Sequence, residues 1–425
     1  MDPDLMKKVR TYRWLIFVLL GFSYVLVYFH RLCPAVLAVD LMRDLNATGT
    51  LTGLLGAAYF YPYALMQIPA GLLSDSWGAR KTITLFFVVA FTGSVILGMS
   101  TTVVVAITGR TLVGIGVAML FVPTMKILAE WFHKREFSLM TGILMAMGGI
   151  GSLTAATPLV LVSARIGWRN SFILVGLFTL FLAVLVWIFV RNRPSEFGWP
   201  SPAEPSSGPG KSISLGRGVN MVLANPGFWP LAVWFFFDLG IFFSLGGLWG
   251  GPFLTQVYGL TKAEGGHILS MISVGMVVGS PVLSLLSDRV FQGRKPVLVL
   301  ASGVMIVLTG VLYWFTDTIP VAGLYGIFLV MGIFGSAIVV IGFTANKELF
   351  PLEIAGTATG LINLFPFAGG AVFQPVLGHV LERFGRTGSG FSLAGYKAVM
   401  LCLLVSAAVA FTASILTRET LEKKR

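Results

Sequence analysis

Arg31, His30, Arg110, Lys126 and Asp238 sit inside stretches of the chain that are otherwise almost free of charge. Where such stretches cross a bilayer, an ionised group at the centre costs roughly 2.5–3.5 kcal/mol, so each of these residues needs a chemical reason. A guanidinium keeps its charge and grips a carboxylate or phosphate through two parallel hydrogen bonds. Arg31 therefore reads as an anion ligand, as the partner of a structural acid, or as a side chain reaching outward past Asp40. His30 adjoins it, and neighbouring helical residues point about 100° apart, so at most one of the two faces a shared cavity squarely. A histidine there could carry a proton at physiological pH or stay neutral and hydrogen-bonded. Asp238 reads as a proton-coupling carboxylate, an anchor for Arg31, or a hydrogen-bonded packing acid. Tyr59, Tyr63 and Gln67 recur at i, i+4 and i+8, which places them on one polar-aromatic stripe. Trp249, Asn346, Asn363 and Gln374 are further polar positions of the same kind. All of these could line a site or simply pack. Lys126 lies four residues before Glu130, so a salt bridge or a reach to the interface accounts for it.

The elements that must hold these residues follow from composition. Of 425 residues, 56% are hydrophobic and 11% charged, against about 25% charged in soluble domains. That balance excludes a soluble enzyme, a nucleic-acid binder and a disordered chain. Long apolar runs lie near 14–39, 50–74, 82–100, 103–128, 137–163 and 169–190, and again near 226–254, 265–286, 296–315, 320–345, 356–380 and 394–417. Each is about the 20 residues that a spanning helix needs. They predict an all-α membrane protein of twelve helices, numbered 1 to 12 in this order. A Pro-, Ser- and Gly-rich stretch divides them into an N-terminal bundle (1–190), a linker (191–224) and a C-terminal bundle (225–425). Lys and Arg concentrate in alternate loops that include the N-terminus, so both termini are expected in the cytoplasm of a multi-pass cell-membrane protein, such as one of a bacterial inner membrane. The net charge of +12 is this topological bias and calls for no nucleic acid. Cys33 and Cys402 fall in apolar runs without disulfide or metal-ligand spacing, and no cleavable leader is visible.

The two halves repeat. GLLSDSWGARK (71–81) follows helix 2 and SLLSDRVFQGRK (284–295) follows helix 8. Aligning Asp75 with Asp288 gives nearly the offset that aligns Gly142 with Gly360, in WFHKREFSLMTGI (131–143) and LFPLEIAGTATGL (349–361). Parallel repeats with a binding site near the midplane between them are a transporter architecture. Gly142, Gly148, Gly149 and Gly151 in helix 5, and Gly356, Gly360, Gly369 and Gly370 in helix 11, offer small faces for close helix contact.

These features resemble the major facilitator superfamily. Its loop signature between helices 2 and 3 is filled by Gly71, Leu73, Asp75, Gly78, Arg80 and Lys81, with a second copy at Asp288, Arg289 and Arg294 in which Ser284 replaces the expected Gly. Helix 4 carries GRTLVGIGVAM around Arg110. A closer likeness is to the sugar-phosphate and glycerol-3-phosphate permease branch, through Tyr28 and Arg31 in helix 1 and SDRVFQG at 287–293. The resemblance implies a cavity lined by helix 1 and by the Tyr59 stripe, a structural or coupling role for Arg110, and a conformational gate at the two loop signatures. The chain departs from that branch at two cationic positions. Phe242 or Phe243 stands near a helix 7 arginine, and Gln67 stands for a helix 2 lysine.

The expected function is secondary active transport of a small organic anion by alternating access, driven by a proton or an exchanged anion. No phosphate-binding ATPase loop is present. Organic phosphate/phosphate antiport, ligand sensing by a transporter-like protein and drug efflux are the alternatives. No nucleophile, base and orienting acid converge, so no enzyme activity, cofactor or metal is expected, and the protein is read as a monomer in the bilayer. A dianionic phosphate needs about two cations in a low-dielectric site. With Arg31 alone, a monoanion accompanied by a proton on Asp238 or His30 balances better.

Overall fold

The computed structural model describes residues 3–200, 215–335, 341–351, 354–387 and 390–421. Residues 201–214 of the linker lie outside the described residues. Twelve helical spans are present. Helix 1 is Pro3–Leu32 continued by Pro34–Asp44, and helix 2 is Gly49–Leu65 continued by Gln67–Ser76. Helix 3 is Ala79–Gly98, and helix 4 is Val103–Ala118 with Phe121–Trp131. Helix 5 is Lys134–Thr154 and the opening of Thr157–Phe189; the remainder of that segment is helix 6, the chain turning at Gly167 with φ 79°. Helix 7 joins Phe228–Ser244 to Gly250–Val257 through a π-helical turn at Leu245–Trp249. Helix 8 is Lys262–Leu285, helix 9 Lys295–Trp314 and helix 10 Val321–Gly335 with Phe343–Glu348. Helix 11 is Ala355–Ile362 with Leu364–Arg383, and helix 12 is Leu393–Leu416. The extended pair in the described residues is a two-residue ladder, Arg386–Thr387 with Gly390–Phe391, between helices 11 and 12.

Several runs that read as continuous are broken, and proline accounts for it. Pro34, Pro69, Pro123, Pro158 and Pro366 each fall within the first three residues of a second piece. Proline is tolerated in a first turn, where its missing N–H costs nothing, but it interrupts the ladder of the turn before. Helix 1 also begins earlier than its apolar run, at Pro3. A first-turn proline and Asp4, then the helix formers Leu, Met and Lys, favour helix there.

Helices 1–6 pack on one another, as do helices 7–12, and the two bundles meet along helices 2 and 11 and along helices 5 and 8. The meeting is tight at one end only. At the end away from the chain termini, the distal end, a Cβ built on Gly53 of helix 2 would lie 2.4 Å from the Gln374 carbonyl oxygen of helix 11, and one on Gly251 of helix 7 would lie 1.7 Å from that of Ala35 in helix 1. Only glycine permits such backbone contact. Asp40 and Lys262 form an ion pair across the bundles there, and the Gly49 N–H donates to Glu382 Oε2 at 2.6 Å. At the terminal end, a Cβ on Gly71, Gly142, Gly356 or Gly360 meets no described atom within 4 Å. The bundles touch distally and part toward the chain termini.

Candidate binding site beneath the distal seal

Arg31 lies in the last turn of the first piece of helix 1, just before the break at Cys33. Its side chain is buried, and four rings surround the guanidinium carbon: Tyr28 at 4.5 Å, Tyr63 and Phe367 at 5.1 Å and Phe243 at 5.8 Å. The negative faces of these rings partly offset the cost of a buried cation. Nε has no hydrogen-bond partner, and among the described residues no carboxylate pairs with Arg31. Helices 1, 2, 7 and 11, two from each bundle, thus converge on one cation with no acid to neutralise it.

Packing fixes the cage. Tyr24, one turn before Tyr28, meets its ring edge-on at 5.4 Å. Both rest on Gly148 of helix 5, where an added Cβ would come within 2.8 Å of Tyr28 and 3.2 Å of Tyr24. On the distal side Phe60 and Phe243 lie 4.8 Å apart, and Phe243 stacks on Phe367 at 6.2 Å, closing the cage against that end. Tyr24, Phe60 and Phe367 were not legible as site residues. Tyr24 alone carried a signal, because it lies four residues before Tyr28 and seven before Arg31 on one helical face.

The Tyr59 stripe runs along helix 1. The Tyr59 hydroxyl donates to the Val27 carbonyl at 3.2 Å and its ring stacks on Tyr63 at 5.6 Å. Gln67 donates to the Tyr63 carbonyl at 3.2 Å and accepts from Asn363 of helix 11 at 3.4 Å, which links the bundles on the terminal side of Arg31. Trp249 and Gln374 lie instead in the distal seal. Trp249 Nε1 donates to the Gln374 carbonyl and Gln374 Nε2 to the Phe243 carbonyl, both at 2.9 Å, stitching the widened turn of helix 7 to helix 11. Asn346 is buried in the C-terminal bundle with both amide atoms unpartnered.

His30 is fully buried and neither ring nitrogen has a partner. Its backbone carbonyl explains Arg110. Pro34 lacks the N–H that would bond to the oxygen four residues back, and Arg110 Nη1 donates to that oxygen at 2.7 Å from helix 4. Asp238 is buried in helix 7, with Oδ1 unpartnered, and makes no ion pair with Arg31. One turn before it, Trp234 donates to Ser302 of helix 9, and one turn after it, Phe242 packs on Gly335 of helix 10. These neighbours set that face of helix 7 against helices 9 and 10.

The two loop signatures are built inside their own bundles. The Arg80 N–H donates to Asn192 at 2.9 Å, its guanidinium covers Trp187 at 4.3 Å, and Gly78 before it takes φ 92°. Lys126 donates to the Ser74 carbonyl at 3.0 Å. The Asp75 side chain lies outside the described residues, and Lys81 is exposed. In the second copy Arg294 pairs with Asp288 and with Glu348 of helix 10, its N–H donates to Glu419 at 2.8 Å, and Arg289 is exposed. Burial works against the charge on Arg294, but the Glu348 and Asp288 carboxylates outweigh it and raise its pKa.

The family model described as Major Facilitator Superfamily matches residues 17–373. The chain belongs to that superfamily. It is 24% identical to a probable hexose phosphate transport protein of Chlamydia pneumoniae, over 94% of this chain and 92% of that one. It is also 24% identical to a probable sulfoacetate transporter of Cupriavidus necator, over 92% of each. Among solved structures, a bacterial homolog to the human lysosomal transporter Spinster, in an inward-facing and unoccupied conformation, superposes with TM-score 0.75 at 18% identity, covering 96% of this chain and 98% of that one. The protein is thus a multi-pass membrane transporter of this superfamily and not an enzyme.

Proposed function

We propose that the protein moves a small organic anion by alternating access, with Arg31 as the anion's ligand and a proton as the coupled ion. The observation that carries this reading is the unneutralised guanidinium where both bundles converge. A cation buried without an acid is costly, and an anion between the bundles would relieve that cost. Such a ligand also draws the bundles together, because Arg31 and Tyr63 belong to one and Phe243 and Phe367 to the other. The Lys and Arg bias of the loops supports a cytoplasmic terminal end; on that reading the parted state described above is the inward-open one, with residues 191–224 as a cytoplasmic linker and the protein working as a monomer.

One cation favours a monoanion over a phosphate dianion, and the relative named for hexose phosphate does not alter that charge balance. His30 and Asp238 are the candidate proton carriers, each buried with an unpartnered polar atom. The test uses proteoliposomes containing only this protein. Imposing an inward proton gradient should drive uptake of a radiolabelled monocarboxylate, and collapsing the gradient should stop it. Uptake indifferent to the gradient and dependent on an internal anion would establish exchange instead. Binding with no flux of either kind would favour a sensor.

A further inference from the structure

We infer that the transported anion carries a small apolar or aromatic body and not a polyhydroxylated one. The inference rests on the reading of Arg31 as the anion's ligand and concerns the rest of the molecule. A hydroxyl moved from water into a dry site without a partner loses its hydrogen bonds and weakens binding. A sugar acid or sugar phosphate therefore needs a ring of free side-chain donors and acceptors beside the charge.

Five amide or indole side chains could have formed that ring, and the fold uses four of them internally. Gln67 is bonded to Asn363 and to the Tyr63 carbonyl. Trp249 and Gln374 donate to backbone carbonyls in the distal seal, and the remaining Gln374 oxygen lies against Gly56 of helix 2. Asn346, the fifth, follows Gly342 by one turn, and Gly342 packs on Trp234 and Phe235 within the C-terminal bundle. The tyrosines are partly used as well. The Tyr59 hydroxyl donates to Val27, and that of Tyr24 lies 3.6 Å from the sulfur of Met145. What faces Arg31 is ring surface from Tyr28, Tyr63, Phe243 and Phe367, and the Tyr59 and Tyr63 hydroxyls are engaged by the guanidinium itself. The guanidinium keeps its Nε–H without a partner for an anionic oxygen, and the rings around its carbon offer apolar area to a flat or short body. The arrangement suits a carboxylate or sulfonate on an apolar group.

Thermal stabilisation of the purified protein tests this with defined probes. Benzoate, phenylacetate and butyrate are compared with gluconate, glucuronate and glucose 6-phosphate. An apolar carboxylate is expected to raise Tm at a concentration roughly tenfold or more below that needed by any polyol anion. Equal or better stabilisation by a polyol anion, or none by the apolar carboxylates, overturns the inference. Benzamide and the Arg31→Gln variant separate this from the underlying reading. If benzamide stabilises as well as benzoate, or Arg31→Gln keeps the full benzoate effect, Arg31 is not the anion ligand, while a preference for apolar bodies over polyols would still stand.

Discussion

The guanidinium carbon of Arg31 lies over the Tyr28 ring, 4.5 Å from its centre, and Tyr28 holds that place because the residue behind it is Gly148. Gly148→Ala would set a methyl group 2.8 Å from the ring and push Tyr28 off the guanidinium. A desolvated cation–π contact is worth about 2 kcal/mol, so anion affinity should fall by up to roughly thirtyfold. Tyr28→Ala should cost a similar amount, and the double variant should cost little more than either alone. Titration of a bound anion by calorimetry measures all three; full additivity would show that Gly148 acts elsewhere.

Arg110 should be a fold residue and not a ligand. Arg110→Met leaves the His30 carbonyl oxygen with only the weak Cys33 thiol donor at 3.5 Å, a loss of about 1–3 kcal/mol for a buried polar group. In a Pro34→Ala background, residue 34 regains an N–H that can fill the same oxygen, so the penalty should shrink. Tm values of the four proteins in this cycle check it. An equal penalty in both backgrounds would assign Arg110 another role.

The Asp40–Lys262 pair should bias the distal seal toward closure. It is partly exposed, which limits its contribution to about 0–1 kcal/mol. Asp40→Asn should therefore raise the rate at which a Val36→Cys probe, buried between helices 1 and 7, is labelled by an impermeant maleimide, by about two- to fivefold. Labelling of the native cysteines alone gives the background. An unchanged rate would make the pair incidental to gating.

Asp44 should contribute a pH-dependent term to stability. The Trp168 indole N–H at 2.9 Å, opposed by burial and helped by Arg43 and Arg169, holds its carboxyl below the usual 3.8. A group whose pKa is lower in the folded state stabilises above the unfolded value and loses that contribution as pH falls through the folded one. Wild-type Tm should thus fall more steeply than that of Asp44→Asn below about pH 4. Parallel curves would show that the contact carries no net linkage.

Much of this was legible in the sequence, for definite reasons. Run length and loop charge gave the twelve spans, because a bilayer demands long apolar helices. Arg31 stood out because a cation in such a helix needs an explanation. The helix breaks were readable at Pro34, Pro69, Pro123, Pro158 and Pro366, but hydropathy averages over them. The fates of Trp249 and Gln374 were not readable. A polar side chain in an apolar helix looks the same whether it faces a ligand or a backbone carbonyl of a neighbouring helix, and only the packing of helix 7 on helix 11 separates the two. Phe367 carried no signal, being one of 34 phenylalanines.

Arg31 itself allows the most direct measurement: equilibrium binding of a radiolabelled carboxylate that the wild type accumulates, to purified wild type, Arg31→Lys and Arg31→Ala. A lysine keeps the charge but loses the two-pronged geometry and the flat face that the rings cover. Its affinity should drop by at least roughly tenfold, from the loss of about 1.4 kcal/mol or more. Arg31→Ala should bind nothing measurable while keeping a cooperative unfolding transition. Wild-type affinity in the alanine variant would contradict the account and would leave Arg110, 5.1 Å from the Tyr59 ring, as the buried guanidinium to supply the charge.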